Sequence, residues 1–184
     1  AELSLELGPN TLQKYASALG LTEGHALDGI PTAAGRFDRA EAGSSDLAWS
    51  GIGQYNDLVC PYSILRLVAA VAGGGTAKEP TLLKGGGGGR MTLLAPRTAE
   101  QIGDMMGYNV AYAYGEWRFP NLSIHAKTGT AETGDGRAHA WFAGYLDEGA
   151  PLAFVVVLEH GGAGLAAAGS AANTILQKAV TLYP

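Results

Sequence analysis

Three apolar runs, residues 123–130, 138–146 and 152–159, succeed one another with only turn-forming segments around Gly134, Gly136 and Gly149 between them. Short apolar runs separated by such turns read as an antiparallel meander, and this pattern constrains the chain more than any other. A helix predicted over residues 170–180 follows, with Ala172, Ile175, Leu176, Ala179 and Val180 on one stripe suited to packing on a sheet face. The earlier part of the chain reads differently. Leu12, Tyr15, Ala16 and Leu19 recur at helical spacing between Pro9 and Gly20, so a helix is predicted over residues 10–19. Apolar periodicity then fades through residues 21–50, an irregular connection whose end Trp49 is expected to pin. Pro61 opens a second helix, apolar on nearly every face over residues 64–72 and running into Gly73, and this is expected to be a buried central helix. An extended segment over residues 81–84 and a short strand over 91–94 are expected next. Pro96 then opens a third helix with Ile102, Met105 and Met106 turned inward. Helices first and a sheet later make an α+β domain, with a mainly helical part over residues 1–120 and the sheet with its C-terminal helix over 121–184.

Composition removes several function classes. Twelve Lys and Arg against 17 Asp and Glu leave a net charge of −5, so no general basic field exists to hold nucleic acid. No apolar stretch approaches the roughly 20 residues that cross a bilayer. The single cysteine, Cys60, cannot form an internal disulfide and has no Cys or His near it in sequence. Gly85, Gly86, Gly87, Gly88 and Gly89 stand in a row, which reads as a flexible surface loop or an introduced linker.

Chemistry concentrates at one strand end, His125-Ala126-Lys127-Thr128-Gly129-Thr130-Ala131-Glu132. Lys127 brings charge, the hydroxyls of Thr128 and Thr130 bring donors, and Gly129 leaves the backbone open to a ligand lying on the strand edge. The bland alternative is a solvated lysine beside a hairpin turn. A phosphate loop would need glycine where Ala126 and Asn121 stand and a helix after the lysine, so nucleotide binding is disfavoured. A zinc site from His125, His139 and His160 lacks metal-ligand spacing, and no cofactor is expected. Trp141 is expected in the core rather than in a cleft.

The segment from Ala126 to Glu132 resembles the Lys-Thr-Gly box of penicillin-binding transpeptidases and serine β-lactamases, and its surroundings resemble the class B penicillin-binding proteins. Gly51-Ile52-Gly53-Gln54 before the Pro61 helix, Glu79-Pro80-Thr81-Leu82 after it, and Ala140-Trp141-Phe142-Ala143-Gly144-Tyr145 after the box match the family's order over most of the chain. The family's nucleophilic Ser-x-x-Lys and its Ser-x-Asn occur nowhere. Ser63 is followed at the third position by Arg66, and Thr11 with Lys14 and Thr81 with Lys84 have that spacing only by chance. The chain therefore looks like the C-terminal part of a transpeptidase domain, a partial penicillin-binding and β-lactamase-like fold, whose catalytic serine lies upstream of Ala1.

In the complete enzyme the resemblance implies a serine that attacks the D-Ala-D-Ala carbonyl of a peptidoglycan stem peptide and passes the acyl group to an amine, with β-lactams as mimics. Lys127 would supply positive potential, Thr128 and Thr130 would bind the carboxylate, Gly129 would keep the edge clear, and the Thr130 N–H would be an oxyanion donor. This chain alone is expected to be inactive. The resemblance also implies an extracytoplasmic site at a bacterial membrane, anchored by an N-terminal segment that this chain lacks. A serine-less pseudoenzyme that binds wall peptide or a protein partner is the alternative. Leu152-Ala153-Phe154-Val155-Val156-Val157-Leu158 is apolar throughout, as in a strand covered on both faces. Its family neighbour would come from the missing upstream part, so either that part or a second copy is expected at this edge.

Overall fold

The computed structural model describes residues 1–86 and 88–182. Two compact units emerge, one holding residues 1–64 and 79–89, the other residues 65–78 and the described residues from 90 onward.

The first unit opens with a helix that sequence periodicity did not announce, α1 (Glu2–Leu7), one and a half turns long. Gly8, at φ 77°, breaks it in a conformation that side chains resist, and Pro9 restarts the chain as α2 (Pro9–Ala18). The supposedly irregular connection has structure of its own. A minimal hairpin pairs β1 (Ala26–Leu27) with β2 (Ile30–Pro31), and α3 (Ser45–Ser50) begins where the Ser44 hydroxyl accepts the Leu47 N–H at 3.1 Å. Trp49 does not pin this segment, because it is 47% exposed on α3. Residues 81–84 are not extended either. They form a bend and turn in which Thr81 donates its hydroxyl proton to Asp28 at 2.9 Å. Of the glycine run, Gly87 lies outside the described residues, and beside it the Glu79 N–H donates to the Gly89 carbonyl at 2.8 Å.

The Pro61 helix is α4 (Pro61–Ala72), and none of residues 62–71 is exposed. In the second unit β3 (Thr76–Lys78) pairs antiparallel with β4 (Arg90–Thr92), so the expected short strand starts one residue earlier and has a partner the sequence did not suggest. Helix α5 (Pro96–Tyr108) turns Met106 inward, but Met105 is 59% exposed. Adjacent positions on a helix lie about 100° apart, so one sheet surface cannot cover both. A π-helical turn, Asn109–Tyr114, prolongs α5.

The meander is present as β5 (Ile124–Glu132), β6 (Ala138–Leu146) and β7 (Ala153–Leu158), antiparallel and in chain order across the sheet. Asp135 fixes the β5–β6 turn by accepting from the Arg137 side chain and backbone and from Thr133, and these bonds hold its carboxyl well below the usual range. A π turn, Leu165–Gly169, leads into α6 (Ser170–Leu182). Ala168, Ala172 and Leu176 close over Ile124, Ala126, Ala140 and Phe142, the main core of the unit. Ile175 was expected in this stripe but is 57% exposed, because the sheet touches only the central rows of the helix. The opposite face meets α5, where a side chain at Gly103 would come within 2.6 Å of the Tyr145 hydroxyl. The architecture is an antiparallel sheet with a C-terminal helix on one face, as the α+β reading expects.

Candidate functional site

Strand β5 carries Lys127, Thr128, Gly129 and Thr130, and it is an outer strand of the three-stranded sheet. Its alternation sends Ala126, Thr128 and Thr130 to the α6 face, and His125, Lys127 and Gly129 to the α5 face. The register sets Thr128 opposite Phe142 and Gly129 opposite Trp141. In an antiparallel pair, residues exchanging backbone bonds alternate with residues whose N–H and C=O point away from the partner. Thr128 is of the second kind, since its N–H donates to the Tyr114 hydroxyl oxygen at 3.0 Å.

Both outward groups of Thr128 are occupied from within the chain. The Lys127 ammonium folds back to donate to the Thr128 carbonyl at 2.7 Å, while Tyr114 takes the N–H. The Tyr114 and Thr128 hydroxyls also lie 3.3 Å apart, close enough for one to donate to the other. Tyr114 comes from the last position of the π turn, with its ring set edgewise on Phe142 at 6.2 Å between centroids. An exposed cation, two hydroxyls and an edge backbone together can hold an extended chain that ends in a carboxylate.

Two glycines let this strand be approached. A Cβ on Gly129 would sit 3.1 Å from the Trp141 Cβ, a tight approach that the cross-strand neighbour would have to yield to by a few tenths of an ångström. Trp141 itself is half-buried rather than fully in the core, on the same face as Lys127. Gly164 lies against the box from the other side. Its N–H donates to the Thr130 hydroxyl at 3.1 Å, and a Cβ there would come within 2.4 Å of the Gly129 carbonyl oxygen.

His125 anchors the start of the strand. Its Nδ1 lies 2.8 Å from the Gly103 carbonyl of α5, its ring stacks on Tyr145 at 4.9 Å, and Asp147 approaches Nε2 at 3.8 Å. Burial, with Asp147 and Asp104 nearby, pushes the Tyr145 phenol upward. His139 and His160 sit together near the opposite end of β6, their rings 4.9 Å apart. The three histidines are therefore not one cluster, and among the described residues no group of three His, Cys, Asp or Glu is arranged to hold a metal.

The remaining serine and threonine spacings have structural settings. Ser63 is wholly buried in α4 with its Oγ lacking a hydrogen-bond partner, Thr11 and Lys14 lie on α2, and Thr81 is held by Asp28. Sequence reasoning missed Tyr114 and Gly164. The glycines at 161, 162 and 164 signalled a tight approach, whereas nothing local marks Tyr114.

A family model described as the penicillin binding protein transpeptidase domain matches residues 1–180. Comparison with curated proteins gave no relative. Among solved structures, penicillin-binding protein A from M. tuberculosis, as an imipenem acyl-enzyme complex, superposes with a TM-score of 0.82 at 24% identity, over 97% of this chain and 44% of that one. The D,D-transpeptidase domain of a peptidoglycan glycosyltransferase from Eggerthella lenta gives 0.81 at 19% identity, over 98% and 50%. A peptidoglycan glycosyltransferase from Burkholderia ambifaria gives 0.75 at 21% identity, over 100% and 60%. The chain thus spans about half the length of the solved structures it matches, and at these identities the likeness shows the fold.

Proposed function

The chain belongs to the penicillin-binding protein transpeptidase domain family, and from that premise we propose that it supplies the substrate-binding strand of a serine D,D-transpeptidase. The observation that carries the reading is the position of Lys127, Thr128, Gly129 and Thr130 on an outer strand, where a peptide can add along the edge. In the reaction a serine oxygen attacks the penultimate D-Ala carbonyl of a stem peptide. The peptide C–N bond breaks, D-Ala leaves with a proton, and an acyl-serine ester remains. An amine from a neighbouring stem then attacks the ester and releases the serine. A β-lactam enters the same first step and stays attached.

In this reading Lys127 raises the positive potential around the nucleophile, and the Thr128 and Thr130 hydroxyls bind the terminal carboxylate. The Thr130 N–H is one oxyanion donor, a contact type worth about 2.7–4 kcal/mol in the transition state. The nucleophile comes from a Ser-x-x-Lys segment, a spacing this sequence lacks. Function at the extracytoplasmic face of a bacterial membrane fits a wall substrate, and among the described residues no helix is long and apolar enough to cross a membrane. The outer edge of β7 takes a further strand, from the preceding part of the domain or, in the isolated chain, from a second copy.

Intact-mass measurement after incubation with penicillin tests the reading. The chain by itself is expected to stay unmodified, and the whole transpeptidase domain to gain one acyl group. K127A in that domain is expected to slow acylation on the order of 100-fold. An adduct on the chain alone, or an unchanged rate in K127A, refutes the assignment. Light scattering of the isolated chain tests the β7 edge, where a stable monomer would count against it.

A further inference from the structure

We propose that Tyr114 is a positioning residue for this site, which orients the Thr128 hydroxyl and closes the Thr128 edge amide to an incoming peptide. The inference rests on the reading that β5 binds the substrate. The phenol oxygen accepts the outward N–H of Thr128 at 3.0 Å and lies 3.3 Å from the Thr128 hydroxyl, so one atom engages both polar handles of the same residue. An extended peptide added to an edge strand bonds the outward groups of alternate residues. Along β5 the Thr128 amide is one of those rungs, and Tyr114 already fills it. A ligand is thereby kept from sliding along the strand towards Ala126, and its carboxylate stops at the box.

The hydroxyl pair sets a direction as well. Tyr114 uses a lone pair on the Thr128 N–H, so its own O–H can donate to Thr128 Oγ1, which leaves the threonine O–H to donate to a carboxylate. The phenol is rigidly mounted for this work. Its ring packs against the core around Phe142, and the Tyr114 carbonyl accepts from Arg118 Nε at 3.0 Å. The π turn supplies the placement, since its wider winding shifts the last side chain relative to a continued α-helix.

Y114F removes one oxygen and keeps the ring. In the isolated chain, amide exchange followed by NMR is expected to quicken at least tenfold at Thr128 while Lys127 and Gly129, bonded into the β5–β6 ladder, stay unchanged. In the whole domain, acylation is measured with a D-Ala-D-Ala peptide and with its C-terminal amide, which lacks the carboxylate. The wild type is expected to prefer the free acid strongly, and Y114F to lose at least fivefold of that preference. In a T128V background Y114F is expected to change the preference no further, a non-additivity that a merely structural role would not give. Unchanged exchange at Thr128, or a full preference in Y114F, overturns the role of Tyr114. A wild type with no preference for the free acid overturns instead the reading of β5 as the carboxylate site, and the inference falls with it.

Discussion

Phe142 ties the core to the box, and its removal gives a sharp test of the packing described above. The ring is wholly buried, stacked on Phe119 at 5.5 Å with a 5° tilt, and flanked by Phe154 at 5.7 Å and Tyr114 at 6.2 Å. Truncating a buried phenylalanine to alanine costs about 3–5 kcal/mol through lost transfer energy and the cavity left behind. With three aromatic neighbours losing contacts together, F142A belongs near the middle of that range, about 4 kcal/mol. F142L keeps most of the volume and is expected to cost about 1–1.5 kcal/mol. Urea unfolding followed by far-UV circular dichroism reads the difference. At a slope of about 2 kcal/mol per molar, F142A shifts the midpoint by about 2 M and F142L by about 0.5–0.8 M, with slopes unchanged. Phe142 is also the cross-strand partner of Thr128, so F142A is expected to broaden the Thr128 amide signal. A loss under about 1.5 kcal/mol in F142A, or equal losses in the two variants, would show that these rings do not form the packed centre of the unit.

Two further expectations follow from single residues. Gly164→Ala places a methyl within 2.4 Å of the Gly129 carbonyl oxygen and is expected to cost about 1–3 kcal/mol by overpacking, read as a lowered urea midpoint; full stability would mean the loop does not lie on the box. Asp57 makes stability depend on pH. Burial, against the opposing Ser50 hydrogen bond, pushes its carboxyl up to about 6 from 3.8, with Asp38 raising it and Arg36 lowering it by smaller amounts. The folded protein then holds a proton that the unfolded chain has released, so stability falls as pH rises from about 4 to about 6 and levels off above that. The gap corresponds to about 3 kcal/mol at full strength, and partial exposure reduces it to roughly 1–1.5 kcal/mol. D57N is expected to abolish that slope in urea midpoints taken across the interval, and an unchanged slope would refute the assignment.

The sheet and its closing helix were legible because their signals are local and repeated. Apolar runs bounded by Gly134, Gly136 and Gly149 leave little choice but a meander, and Pro9, Pro61 and Pro96 each begin the helix expected of them. Short elements were not legible. Helices α1 and α3 span six residues each, too few for a period to register. Inward facing was overestimated at Met105 and Ile175 because an apolar stripe in the sequence is wider than the row a sheet covers. Lys127, Thr128, Gly129 and Thr130 could be singled out because their chemistry is adjacent in sequence. Tyr114 could not, since its approach depends on a π turn and on a strand pairing that no short window contains.

The two outer strands of the sheet differ in a way that bears on what each can accept. β7 is apolar from Ala153 to Leu158. A strand laid beside it exchanges backbone bonds and buries apolar surface together, and such pairing is costly to undo. β5 offers Lys127, Thr128 and Thr130 instead, and its outward groups at Thr128 are already bonded by Lys127 and Tyr114. With the Thr128 amide held by Tyr114, a peptide arriving at β5 meets fewer free backbone groups, and each hydrogen bond it does make brings a net gain of only about 0.5–1.5 kcal/mol. In the proposed reading, affinity at that edge then comes largely from the charge of the ligand's carboxylate, which departs with D-Ala once the acyl ester has formed. In that reading one edge suits a permanent structural neighbour, the other a ligand held mainly by its carboxylate.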